Sequence, residues 1–211
     1  MQVAEGIEEV EGLLVGNACL VRGTDGLLLI DSGIPGSAER ILASIARIEG
    51  GPADLRYIVL THWHLDHVGG AAELRRRTGA RIAIHALDAP VLTAKERPRK
   101  GRLAMATLER LLRLERPAPD ILLDGGESIA GLEVVHMPGH TDGSIVLRRD
   151  DGVLFSGDAL LADRHGRVRD PDLSLALDPV VALESAAKIR ALPHTLLLAG
   201  HGATALVPAA Q

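Results

Sequence analysis

The chain is short of aromatic residues: its 211 positions hold one Trp, one Tyr and one Phe, so aliphatic side chains must do nearly all of the packing. A single cysteine, Cys19, excludes an internal disulfide, and in the apolar run GNACLV it reads as a small buried side chain. Asn and Gln are scarce and Arg far outnumbers Lys, a balance that either a GC-rich genome or a hot habitat can produce. No apolar run approaches the roughly 20 residues needed to cross a bilayer. The acidic opening MQVAEGIEEVEG lacks the basic start and apolar stretch of a secretory signal, so a cytoplasmic location and no membrane partner are expected. Excess positive charge is also missing: a net charge of −5 argues against a nucleic-acid partner, and the basic clusters at 75–77 and 95–102 read as solvated faces. The length suits one domain over residues 1–211 with a single core.

What is present alternates between strands and helices. The apolar runs GLLVGNACLVRG and DGLLLIDSG, turned at Asp25-Gly26, read as a meander. Ile41, Leu42, Ile45 and Ile48 then repeat at helical spacing until Gly50-Gly51-Pro52 stops them. Strand YIVL, helix AAELRRRTG and strand RIAIH follow. Residues 88–118 interrupt the alternation as a helical insertion, with Ala104, Leu108, Leu111 and Leu112 on one stripe. ILLDGG, LEVVHMPG, SIVLRRD and GVLFSGD read as four strands, with Asp151-Gly152 turning the last two. Asp178-Pro179 supply an N-cap and a first-turn proline for a final helix before the strand TLLLAG. The two halves have similar order, a meander and then a helix.

The stretch THWHLDHVGG carries His62, His64, Asp66 and His67, four possible ligands within six residues, where a strand ends and a helix begins. Imidazole with carboxylate suits zinc, iron or manganese. His140 in MPGHTDGS, Asp158 in LFSGDAL and His201 in LAGHG each follow an apolar strand beside glycine, a context that sets them at one edge of the sheets. Seven donors exceed the needs of one tetrahedral ion, whereas two ions sharing a carboxylate would use them all.

The run HWHLDH, followed in order by PGHTDGS, FSGD and GHG, resembles the metallo-β-lactamase superfamily, and most closely its glyoxalase II-like branch. The resemblance implies an α/β fold, a four-layered αβ/βα sandwich of two mixed sheets flanked by helices, with the metals at one edge. It implies one site of His62, His64 and His140, a second of Asp66, His67 and His201, and Asp158 bridging two divalent ions. Zinc is expected first, with iron or manganese as alternatives. Asp31, in LLIDSG, corresponds to an aspartate that supports the site through hydrogen bonds, and Asp66 would orient the attacking water while binding metal.

The expected reaction is cleavage of a small thioester, ester or lactone by a metal-bridging hydroxide, with no serine or cysteine nucleophile. Only ten residues follow His201, which leaves no place for the helical glutathione-binding domain of glyoxalase II, and Tyr57 does not lie where lactonases carry their active-site tyrosine. A mononuclear iron persulfide dioxygenase is the alternative of different chemistry; β-lactam or phosphodiester hydrolysis ranks lower. The insertion would cover the metal edge as an apolar wall, a packed helix or a dimer contact, the protein being a monomer or homodimer with a small-molecule substrate. Lys95, Arg97, Arg99, Lys100 and Arg102 read first as a solvated face, His165 as able to enter the pocket, and His85, His136 and His194 as structural.

Overall fold

The computed structural model describes residues 1–48, 51–96, 107 and 109–207. A seven-stranded sheet comes from the first half of the chain: β1 (Gln2–Ala4), β2 (Ile7–Glu9), β3 (Cys19–Gly23), β4 (Gly26–Ile30), β5 (Leu55–Val59), β6 (Arg81–His85) and β7 (Ile121–Leu123), paired in that order. Strands β1 to β4 are antiparallel, and β4 to β7 run parallel. The second half gives β8 (Ser128–Ile129), β9 (Leu132–His136), β10 (Ile145–Arg148), β11 (Val153–Gly157), β14 (Leu196–Ala199) and β15 (Ala205–Leu206), in the order β15-β14-β11-β10-β9-β8. Only β11 and β14 are parallel there. A separate ribbon pairs β12 (Leu161–Ala162) with β13 (Val168–Arg169).

Parallel neighbours need a crossover, and helices supply it. Helix α1 (Ala38–Arg47) joins β4 to β5; α2 (Leu65–Val68) and α3 (Ala71–Thr78) join β5 to β6. A short α4 (Ala89–Leu92) follows β6, and α5 (Pro179–Ala191) joins β11 to β14. Helix α1 buries Ala38, Ile41, Leu42 and Ile45, carries Glu39 in its first turn and Arg47 in its last, and so matches the helix dipole at both ends. Helix α5 begins as its sequence suggests: Asp178 accepts from the amides of Val180 and Val181, and Pro179 occupies the first turn.

Strands covered on both faces need apolar residues at every position, which is why they appear as unbroken runs. Leu28 and Ile30 of β4 meet Phe155 of β11 and Leu198 of β14 between the two sheets, together with Cys19, whose thiol burial pushes its pKa upward. Leu29 packs outward against Ile41, Ile45 and Leu74 of α1 and α3, while Leu154 and Leu197 pack against Ala186 and Ile189 of α5. The result is helix, sheet, sheet, helix, the four-layered sandwich expected.

The β1–β2 hairpin, β8, β12, β13 and β15 have two or three residues each, too short to leave a readable alternation. In the run GLLVGNACLVRG the strand is confined to Cys19–Gly23, and residues 11–18 form a loop. Of the expected insertion stripe, Ala104 and Leu108 lie outside the described residues, as do Arg97, Arg99, Lys100 and Arg102. Residues 107 and 109–111 are helical, but Leu111 is 76% exposed, so among the described residues it faces solvent and not a core. Lys95 is exposed, and so is His165, which accepts from Arg164. Among the described residues no helix is long and apolar enough to cross a membrane.

Candidate metal centre

Strands β4, β5, β9, β11 and β14 all finish at the same edge of the sandwich. Asp31 directly follows β4, Asp158 directly follows β11, and His62 and His64 stand between β5 and α2. Asp66 and His67 lie in α2, His140 follows β9, and His201 follows β14. The side chains converge as that layout requires. Ligating atoms of His62, His64 and His140 lie within 4.8 Å of one another, as do those of Asp66, His67 and His201. A third such group, His62, His67 and Asp158, joins the two.

Asp158 faces both clusters. One of its oxygens is 3.4 Å from His67 Nε2; the other is 3.5 Å from His140 Nε2 and 3.5 Å from His201 Nε2. Asp66 Oδ2 lies 3.1 Å from His201 Nε2. His140 Nε2 and His64 Nδ1 are 2.9 Å apart, close to the roughly 3.3 Å between two nitrogens on one tetrahedral zinc with bonds of about 2.0–2.1 Å. Gly200 makes the crowding possible: a Cβ there would lie 2.3 Å from Asp158 Oδ1 and 2.7 Å from His67 Cε1.

Asp31 supports the edge from below. It has φ of 56°, a left-handed conformation that Asp tolerates better than most residues, and it is 2% exposed. Its carboxylate accepts from Thr61 N and Thr61 Oγ1, both at 2.8 Å, and from His67 Nδ1 at 2.8 Å. With its proton committed to Asp31, the Thr61 hydroxyl can only accept from His62 Nδ1, 3.1 Å away. In their neutral forms both rings thereby carry their proton on Nδ1 and present the Nε2 lone pair to the centre.

Among the described residues, four buried side-chain polar atoms have no hydrogen-bond partner: His62 Nε2, His67 Nε2 and Asp158 Oδ1 at the centre, and His140 Nδ1 on the far side of a ring whose Nε2 faces it. Leaving the three at the centre unsatisfied costs stability unless something binds them, and imidazole nitrogen with carboxylate oxygen fits a divalent cation. Burial, reinforced by the neighbouring rings, lowers the pKa of His62 well below the ordinary value and that of His64 to about 3. Burial likewise lowers His140, so all three are neutral donors at physiological pH. His67 behaves oppositely: burial would lower it, but the charges of Asp31 and Asp158 outweigh burial and raise it. Asp66, raised by burial but lowered more by His201 and His67, ends at about 2. His201 rises to about 9 through its bonds to Asp158 and Asp66.

His85 and His136 stack at 4.1 Å and bond to the carbonyls of Asp124 and Asp142, and His194 bonds to the carbonyl of Leu192, the structural roles expected. Sequence reasoning missed three polar residues next to the cluster: Thr61, Asp88 and Asn17. Only the last had a signal, being the one asparagine in the chain.

A family model described as the metallo-beta-lactamase superfamily matches residues 12–201. The hydroxyacylglutathione hydrolase of Cereibacter sphaeroides (strain ATCC 17025 / ATH 2.4.3) is 38% identical over 149 residues, which cover 70% of this chain but 48% of that protein. The chain thus spans about half the length of that relative. Hydroxyacylglutathione hydrolase GloC of Haemophilus influenzae is 32% identical over 181 residues, covering 82% of this chain and 79% of GloC. Among solved structures, TTHA1623 in a di-iron-bound form superimposes with a TM-score of 0.70 at 31% identity, covering 93% of this chain and 92% of that one.

Proposed function

Since this chain belongs to the metallo-β-lactamase superfamily, we propose that it is a metal-dependent hydrolase of a small thioester, ester or lactone, with two ions at the cluster. His62, His64 and His140 would hold one ion, Asp66, His67 and His201 the other, and Asp158 would be shared. The observation that carries this reading is the convergence of the three donor groups, with His62 Nε2, His67 Nε2 and Asp158 Oδ1 buried there without hydrogen-bond partners. The di-iron form of TTHA1623 supports the count of two.

Bound divalent ions supply Lewis acidity, which acidifies water and stabilises negative charge growing on a substrate oxygen. The protein's own groups do the rest. Asp66, ionised and about a quarter exposed, would accept a hydrogen bond from the attacking water and orient it. Asp31 and Thr61 hold His67 and His62 in the tautomer that leaves Nε2 free. No serine or cysteine nucleophile is needed, and Cys19 is sealed between the sheets.

A thioester heads the substrate list because GloC, a named hydroxyacylglutathione hydrolase, is matched over most of its length by this chain. The test is metal quantification on purified protein beside a panel of S-lactoylglutathione, a lactone, an aryl ester, a phosphodiester and glutathione persulfide. Two ions per chain with hydrolysis of a thioester, ester or lactone is the expected result. A single iron with oxygen uptake on the persulfide overturns it.

A further inference from the structure

We propose that each ion site is positioned by its own residue outside the ligand set, Asp88 for the His62, His64 and His140 group and Asn17 for the Asp66, His67 and His201 group. The inference rests on the two-ion reading above and goes beyond it by dividing the support of the two sites.

Asp88 lies between β6 and α4 and is 1% exposed. One oxygen accepts from Trp63 N at 3.1 Å and from Thr141 Oγ1 at 2.7 Å; the other accepts from Gly143 N at 2.7 Å. Trp63 stands between His62 and His64, and Thr141 follows His140. The first loop extends from the seven-stranded sheet and the second from the six-stranded sheet. A single carboxylate therefore sets the distance between the two loops that bring three imidazoles together. All three of its partners are donors, so an amide in its place would turn one acceptor into a donor facing an N–H or O–H.

Asn17 does the same on the other side. Its backbone amide donates to Gly200 O at 2.7 Å, and its Nδ2 donates to Ala199 O at 3.0 Å and Gly202 O at 2.8 Å. These three bonds bracket His201. The preceding Gly16 lies against α2, where a Cβ would be 2.6 Å from Asp66 O. The segment thus packs on the backbone of one ligand while its amide grips the loop of another, and those two ligand side chains are 3.1 Å apart. A primary amide has two N–H groups for two carbonyls, and an aspartate there would confront both with an acceptor. Neither Asp88 nor Asn17 is itself a ligand, so both are positioning residues.

The experiment titrates zinc into metal-free full-length protein against a chromophoric chelator, with X-ray absorption counting imidazoles on the retained ion. Wild type is expected to take up two ions. Asn17→Asp should keep one at unchanged affinity, with three imidazoles, and bind the other about 10- to 100-fold more weakly. Asp88→Asn should do the reverse, keeping the ion with two imidazoles. Thermal unfolding of the metal-free proteins checks folding; if either variant fails that check, Thr141→Val and Asn17→Ala, which remove single groups without adding charge, decide in its place. Folded variants whose two affinities stay within about twofold of wild type, or fall together, overturn the division. Wild type that binds one ion or none defeats the two-ion reading itself.

Discussion

Asp31 Oδ2 and His67 Nδ1 are 2.8 Å apart although the two residues are separated by 36 positions, one directly after β4 and the other in α2. The same oxygen accepts the Thr61 hydroxyl, so one buried carboxylate fixes the tautomers of two rings at once. Asp31→Asn keeps the left-handed backbone and the shape but loses the charge, and turnover should fall about tenfold. Asp31→Ala also strands the Thr61 amide and should weaken metal binding by about 10- to 100-fold. Steady-state kinetics with metal content measured on the same samples checks both. Unchanged metal content and turnover in Asp31→Ala would reduce this residue to a turn aspartate.

Gly200 has no freedom to grow. A methyl group there would press on Asp158 Oδ1 at 2.3 Å and on His67 Cε1 at 2.7 Å, both far inside contact distance. Gly200→Ala should displace the shared carboxylate and lower activity by more than about 100-fold. Because the two closest crowded atoms are side chains at an edge, with the Gly157 backbone carbon next at 3.1 Å, the metal-free melting temperature should fall less than the activity does. A variant retaining wild-type activity would mean that Asp158 does not sit where both clusters need it.

The centre was more legible than its scaffold, for a physical reason. Metal donors come from few residue types, and His62, His64, Asp66 and His67 offer four candidates within six residues, so residue type alone exposes them. The layers were legible through β4, β11 and β14, whose buried faces on both sides impose unbroken apolar runs such as GLLLI. Asp88 was not, because its partners Trp63 N, Thr141 Oγ1 and Gly143 N come from loops remote in sequence and are mostly backbone. Asn17 likewise acts on carbonyls, which every residue has. The β12–β13 ribbon, two residues to a strand, carries too little pattern to be read.

Removal of metal should destabilise the fold as well as stop the reaction. An ion that binds only the folded chain stabilises it by about 2.7 kcal/mol when present at about 100 times its Kd. For a chain of this size each kcal/mol moves Tm by about 2–4 °C. Chelation of both ions should therefore lower Tm by more than about 10 °C, with recovery on adding zinc back. His62→Ala, which deletes one donor of the His62, His64 and His140 group, should begin at a Tm between those of the loaded and the chelated wild type and fall less than wild type on chelation. A wild-type melt indifferent to chelator would remove the cation from this centre.

Asp88 also makes stability depend on pH, in a direction that its burial dictates. Burial raises its pKa to about 7, outweighing the lowering by Thr141, Gly143 and Trp63, and the charge of Asp142 adds to the rise. A carboxyl whose pKa is higher folded than unfolded holds its proton longer in the folded state. Its contribution is therefore fully present below the unfolded value of about 3.9 and is lost as pH climbs through about 7, by up to about 4 kcal/mol. Other groups titrate across the same range, so the readout is a difference: metal-free wild type and Asp88→Asn, each unfolded in urea at several pH values between 4 and 8. Wild type should lose stability relative to the variant as pH rises across that window. A difference that stays flat would show that the three donors, and not burial, set the charge of this carboxylate.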